Sequence, residues 1–173
     1  MMERRPENGR LVIHDVNTVG WHAVIVTPDN GHHGWAFSVG FTQTFSHPEV
    51  AVFGLPNDVL SGLLDAIGRS LQEGGSYADG QEDTLLAPPY RCVFRGVDEM
   101  WRNRLLPDAA WFYGGRPFPA LQLVWPDRGH HLPWEEEFDV GLRSFQPLLF
   151  HADIAAARVT AFLDRDARPE GAR

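Results

Sequence analysis

Cysteine is nearly absent: Cys92 is the sole thiol in 173 residues. One cysteine excludes an internal disulfide and a thiolate metal cage. Its place in an apolar stretch, between Arg91 and Val93, reads as a small buried hydrophobe. Positive charge is also scarce, with 15 Lys and Arg against 23 Asp and Glu and a net charge of −8. That balance argues against nucleic acid or an anionic membrane as partner, because both need clustered cations. No apolar run approaches the ~20 residues of a membrane span, and residues 1–10 lack the apolar core of a signal peptide. A cytoplasmic address is expected. Three common machines are missing as well: the Gly-x-x-x-x-Gly-Lys loop, the Gly-x-Gly-x-x-Gly fingerprint and the Gly-x-Ser-x-Gly elbow. Nucleotide cofactors and serine hydrolase chemistry that use them are disfavoured. A flavin in a β-barrel cleft leaves little sequence trace, so the cofactor stays unassigned.

What the chain does have is aromatic bulk, with six Trp and eleven Phe, more than a bare scaffold needs. Aromatics supply large burial, and partly exposed ones often line pockets. The length suits one domain with a real core, expected over residues 11–165 between polar tails at 1–10 and 166–173.

The chain is organised around residues 34–55, GWAFSVGFTQTFSHPEVAVFGL. Two apolar runs, 35–41 and 50–53, flank a polar connection and read as strands joined by a loop. Residues 21–27 are rich in β-branched side chains and predict another strand. Asn30-Gly31 marks the turn that makes 21–41 a hairpin. Residues 11–18 fit either a helical turn or an edge strand. Within 35–41 the large residues Trp35, Phe37, Val39 and Phe41 share one face. Small Ala36, Ser38 and Gly40 share the other and admit close approach by a helix, a second sheet or a ligand. Residues 56–75 give the clearest helix, with Val59, Leu60, Leu63, Leu64, Ile67 and Leu71 on one stripe, Asn57 as cap and Gly74-Gly75 as stop. Residues 76–89 form a loop well beyond the usual ~4–6 residues. Residues 90–97 and 118–125 read as strands, 98–106 as a helix, 108–113 as a further turn and 152–165 as a closing helix. The fold expected is α+β: a mainly antiparallel, curled or barrel-like sheet of about five strands, with one principal packed helix and a C-terminal helix.

Several motifs in order carry a resemblance: Gly20-Trp21, Ser38-Val39-Gly40-Phe41, His47-Pro48-Glu49, Phe53-Gly54-Leu55-Pro56, Gln122-Leu123-Val124-Trp125-Pro126-Asp127, Pro133-Trp134 and Gln146-Pro147. On these the chain resembles the bacterial family catalogued as domain of unknown function 4262. Ser38 and Phe41 stand where the family pattern leads one to expect Thr and Leu, and both keep strand character. The resemblance implies a small bacterial α+β domain and no activity.

Two constellations point to chemistry. His47 and Glu49 flank Pro48, and residues two apart at a strand entrance can point the same way. A His–carboxylate pair there could do acid–base work; the structural reading is a loop histidine bonded to backbone. Gln122, Trp125 and Asp127 end another strand, where an aromatic plate beside a carboxylate suits a planar or cationic group; the structural reading is a Pro-Asp turn with Trp125 in the core. The doublets His32-His33 and His130-His131, even with Glu135, Glu136 and Glu137 nearby, lack the spacing of a recognised metal site.

Two functions follow as expectations. One is a small-molecule or modified-peptide site where the His47 loop meets the Trp125–Trp134 segment. His47 would be its acid or base with Glu49 or Asp127 as partner, Trp125 and Trp134 its walls, and Gln122 and Gln146 its orienting groups. The other is an acidic module of immunity type that masks a basic protein, using Glu135–Glu137 and the Gln81–Asp83 loop. Enzyme or binder stays open at this level.

Overall fold

The structure, a computed structural model, describes residues 6, 8–27 and 34–150. Residues 28–33 of the turn expected at 28–34, the His32-His33 doublet, the closing helix at 152–165 and the tail at 166–173 lie outside these residues.

Helix α1 (Gly9–Thr18) opens the chain, so the ambiguity over residues 11–18 resolves as a helix that begins inside the expected tail. Val12 and Val16, four apart, are its buried stripe. Strands β1 (His22–Val26) and β2 (Trp35–Val39) pair antiparallel, in the register His22 opposite Val39. The five-residue helix α2 (Phe41–Phe45) follows where a loop is expected, and β3 (Glu49–Phe53) then pairs antiparallel with β2.

Helix α3 (Asn57–Gln72) buries Leu60, Leu63, Leu64, Ile67 and Leu71. Its start differs from expectation. Pro56 holds the cap position and gives no side-chain cap, while the Asn57 amide donates instead to Thr27 Oγ1 at 2.9 Å. Its end is as expected: Gly74 takes φ +89°, and the Gly74 and Gly75 N–H groups close on Leu71 and Ser70 carbonyls.

After the short β4 (Glu82–Asp83) come β5 (Cys92–Gly96), α4 (Glu99–Leu105), α5 (Pro107–Phe112) and β6 (Ala120–Val124). The sheet order is β1-β2-β3-β6-β5-β4. All neighbours are antiparallel except β3 and β6, which run parallel with Glu49 beside Ala120 and Val52 beside Leu123. The sheet is mixed and open: β1 and β4 are its edges and are not bonded to each other, so it is not a closed barrel.

Helices cover both faces, which is why the central strands β2, β3 and β6 are buried along their whole length. Trp35, Phe37 and Val39 pack with α1, α4 and α5. Ala36, Val50, Val52, Leu121 and Leu123 pack under α3. The small face of β2 therefore receives the helix. No described helix is long and apolar enough to cross a membrane.

If α3 is held by this one face, Leu64→Ala, at a fully buried position, should cost about 2–5 kcal/mol. Val59→Ala, at a position 42% exposed on the same helix, should stay within about 0.5 kcal/mol. Equilibrium denaturant unfolding of the two variants checks the contrast.

Candidate functional site

Glu49 opens β3 and is fully buried. Its carboxylate accepts from Ser38 Oγ at 2.5 Å, from the backbone N–H groups of Gly40 (3.1 Å), Phe41 (3.3 Å) and Thr42 (3.1 Å), and from the Tyr113 hydroxyl. Those three N–H groups are the orphan donors at the start of α2, so a distant carboxylate does the work of a cap. Ser38 Oγ in turn accepts from Val50 N at 2.9 Å. Burial drives the Glu49 carboxyl above its ordinary value, against the pull of its hydrogen bonds from Ser38 and Tyr113.

His47 is also buried, but with other partners. Its Nδ1 donates to the Pro48 carbonyl at 2.7 Å, and its Nε2 accepts from Tyr77 N–H at 3.0 Å. The rings of Phe41 and Tyr77 meet it edge-on. Both nitrogens are thus committed to backbone, and no hydrogen bond joins His47 to Glu49. The expected pair fails because β3 begins at Glu49 and Ser46 turns left-handed at φ +53°, so strand alternation never reaches His47.

The remaining polar candidates hold backbone too. Gln122, fully buried on β6, donates from Nε2 to Pro147 O at 2.6 Å and accepts from Leu149 N at 3.0 Å. Gln146 accepts from Trp125 N at 3.2 Å and donates to Trp125 O at 2.7 Å. The two glutamines stitch the 146–149 segment to β6 and its continuation. Asp127 accepts from His131 N at 2.9 Å and Asp139 N at 2.8 Å. Burial pushes its carboxyl up, but the N–H groups of His131, Asp139 and Gly129 outweigh that and hold it below the ordinary value. His130, at φ +66°, stacks on Tyr90 with ring centres 5.0 Å apart. The doublet therefore splits between two partners, and no metal-holding group of His, Cys, Asp and Glu occurs among the described residues.

Nor do His47 and Trp125 meet. Because β3 and β6 run parallel with Glu49 beside Ala120, His47 precedes one strand while Trp125 follows the other, five residues beyond that pair and so roughly 17 Å past Glu49 along the strand direction at ~3.3 Å per residue. Trp134 is separate again. It lies 41% exposed against Phe150 and the Arg95 guanidinium. Arg95 and Val93 alternate with Cys92 and Phe94, which pack toward α3 with Trp125, so the two tryptophans flank opposite faces of the sheet.

What the structure builds instead is a cavity of about 390 Å³ just past the carboxyl ends of β3 and β6. Gly54, Leu55 and Pro56 leave β3 along one side, and Val59 and Leu63 of α3 form the next. Ala87, Tyr90 and Cys92 close a third, Trp125–Arg128 a fourth, and Leu142 and Phe145 complete it. The lining is mostly apolar. The Trp125 ring is locked by its Nε1–H, which donates to Phe53 O at 2.6 Å. Gly54 sits at φ +77°, where a Cβ would fall 2.2 Å from the Phe145 carbonyl oxygen; glycine there lets the 142–145 wall close on β3. The Cys92 thiol is buried, and burial, then the Asp83 charge, raise it to about 11, so it lines the cavity as a hydrophobe rather than a nucleophile.

Of the expected site residues, only Trp125 and Asp127 line this cavity. Leu55, Val59, Leu63, Tyr90, Arg128, Leu142 and Phe145 do so without having been singled out. Of the acids expected to meet a basic partner, Glu82 and Glu135 are both engaged by Arg91, at 2.9 and 3.3 Å.

The chain belongs to the family described as Domain of unknown function (DUF4262), which matches residues 15–139. The match takes in the cavity residues from Gly54 to Arg128 and ends before Leu142 and Phe145. No curated protein and no solved structure matches the chain.

The His47 geometry sets a pH dependence. Burial holds the imidazole below its ordinary 6.5, with the Pro48 and Tyr77 carbonyls opposing. A depressed native pKa means that stability is present above the unfolded value and is lost as pH falls through the native one. Denaturant unfolding of wild type should therefore weaken below pH 6.5. His47→Gln should be less stable at neutral pH and show a shallower acid decline; an unchanged profile would contradict the assignment.

Proposed function

We propose that this family member binds a small, largely apolar molecule in the cavity between Gly54–Pro56, α3 and Trp125–Arg128. One observation carries the reading: a partly open apolar cavity of about 390 Å³, within the roughly 300–1,000 Å³ of small-molecule sites. Its position supports the same reading, since open sheets tend to bind ligands outside the carboxyl ends of parallel strands. So does its rigidity. Trp125 is held by a hydrogen bond, and Asp127 and the Tyr90–His130 stack fix the turn beside it, so little order has to be created on binding.

The role is binding rather than acid–base turnover by His47 with Glu49 or Asp127. An acid or base must reach a bound molecule within hydrogen-bond distance. His47 and Glu49 lie at the other end of the strands, and both Asp127 oxygens already accept from backbone. The pocket walls are then Trp125 and Phe145, with Gln122 and Gln146 as supports.

Neutral indole serves as the probe. Titrated into ¹⁵N-labelled protein, it should shift the Trp125 Nε1–H resonance saturably. Val59→Trp, at the exposed mouth, should fill the cavity and abolish that shift while leaving the fold intact. A shift that survives Val59→Trp, or none in wild type, would overturn the reading.

A further inference from the structure

We infer that the cavity selects apolar acids, an aromatic or aliphatic body carrying one carboxylate, and that Arg128 holds the head group. This rests on the cavity being a ligand site. Two charged side chains line it, Asp127 and Arg128, and they differ in what they have left to offer. Asp127 is buried, with one oxygen accepting from His131 N and the other from Asp139 N. A cationic ligand would have to compete with the bonds that hold the turn together. Arg128 is exposed and makes no hydrogen bond, ion pair or ring contact to any described residue. Its planar fork of donors matches a carboxylate through two parallel bonds, and it stands at the edge of walls made by Leu55, Val59, Trp125 and Phe145.

The residue types around Trp125 and Asp127 suggest a cation when read alone; the geometry reverses that sign. An ammonium at the same place would meet the Arg128 charge and find Asp127 occupied. The net charge of −8 opposes an anion at long range. At about 0.15 M salt, however, that field is screened beyond roughly 8 Å, and the local contact decides.

The test uses the full chain and three probes that share one body: phenylbutyrate, phenylbutanol and phenylbutylammonium, titrated calorimetrically at about 0.15 M salt. The acid should bind about tenfold more tightly than the alcohol, as a charge-assisted contact at a half-open rim permits, and the ammonium most weakly. Arg128→Gln should bring the acid down to the alcohol and leave the alcohol unchanged. Arg128→Glu should place the ammonium above the acid. Equal binding of acid and alcohol, unaffected by Arg128→Gln, would overturn the head-group assignment while the cavity reading stands. Binding of none of the three, or acid binding that persists in Val59→Trp, would overturn both.

Discussion

The parallel pairing of β3 with β6 is the constraint from which the rest of this structure follows. A parallel neighbour forces the chain to leave one end of the sheet and return to the other. Between the two strands it lays down α3, β4, β5, α4 and α5, with α3 covering one face of the sheet and α4 and α5 joining α1 on the other. The pairing also puts the two carboxyl ends side by side. The segments that leave them, Gly54–Pro56 and Trp125–Arg128, diverge around α3 and leave the cavity. The amino ends meet at the opposite edge, where Glu49 and His47 hold turns.

Buried polar side chains here serve the backbone. Glu49 caps the start of α2, His47 fixes the loop at Tyr77, Gln122 and Gln146 dock the 146–149 segment, and Asp127 closes the turn to Asp139. Each spares backbone groups the cost of lying unpaired, about 1–3 kcal/mol apiece. These are the residue types that catalysis also uses. A site and a structural clamp therefore look alike until the partners are known.

The parts of the fold legible in the sequence are those set by local periodicity. The α3 stripe, the alternation of β2 and the Gly74-Gly75 stop all arise within a few residues. Helix α2 was illegible because its cap, Glu49, comes after it and folds back on it. The parallel β3–β6 register was illegible because it joins residues some seventy positions apart. Trp125 and Asp127 stood out by composition and do reach the cavity, but Val59 looked like one more stripe residue although it is 42% exposed at the mouth. A wall drawn from five separate segments carries no local pattern to read.

The ligand site we propose lies beyond the carboxyl ends of β3 and β6 and not at the His47–Glu49 end. A crystal structure of the full chain grown with phenylbutyrate tests it most directly. The phenyl ring is expected between Trp125 and Val59 with the carboxylate on Arg128. A molecule bound beside His47 or Glu49 instead, with the Trp125 cavity empty, would contradict it.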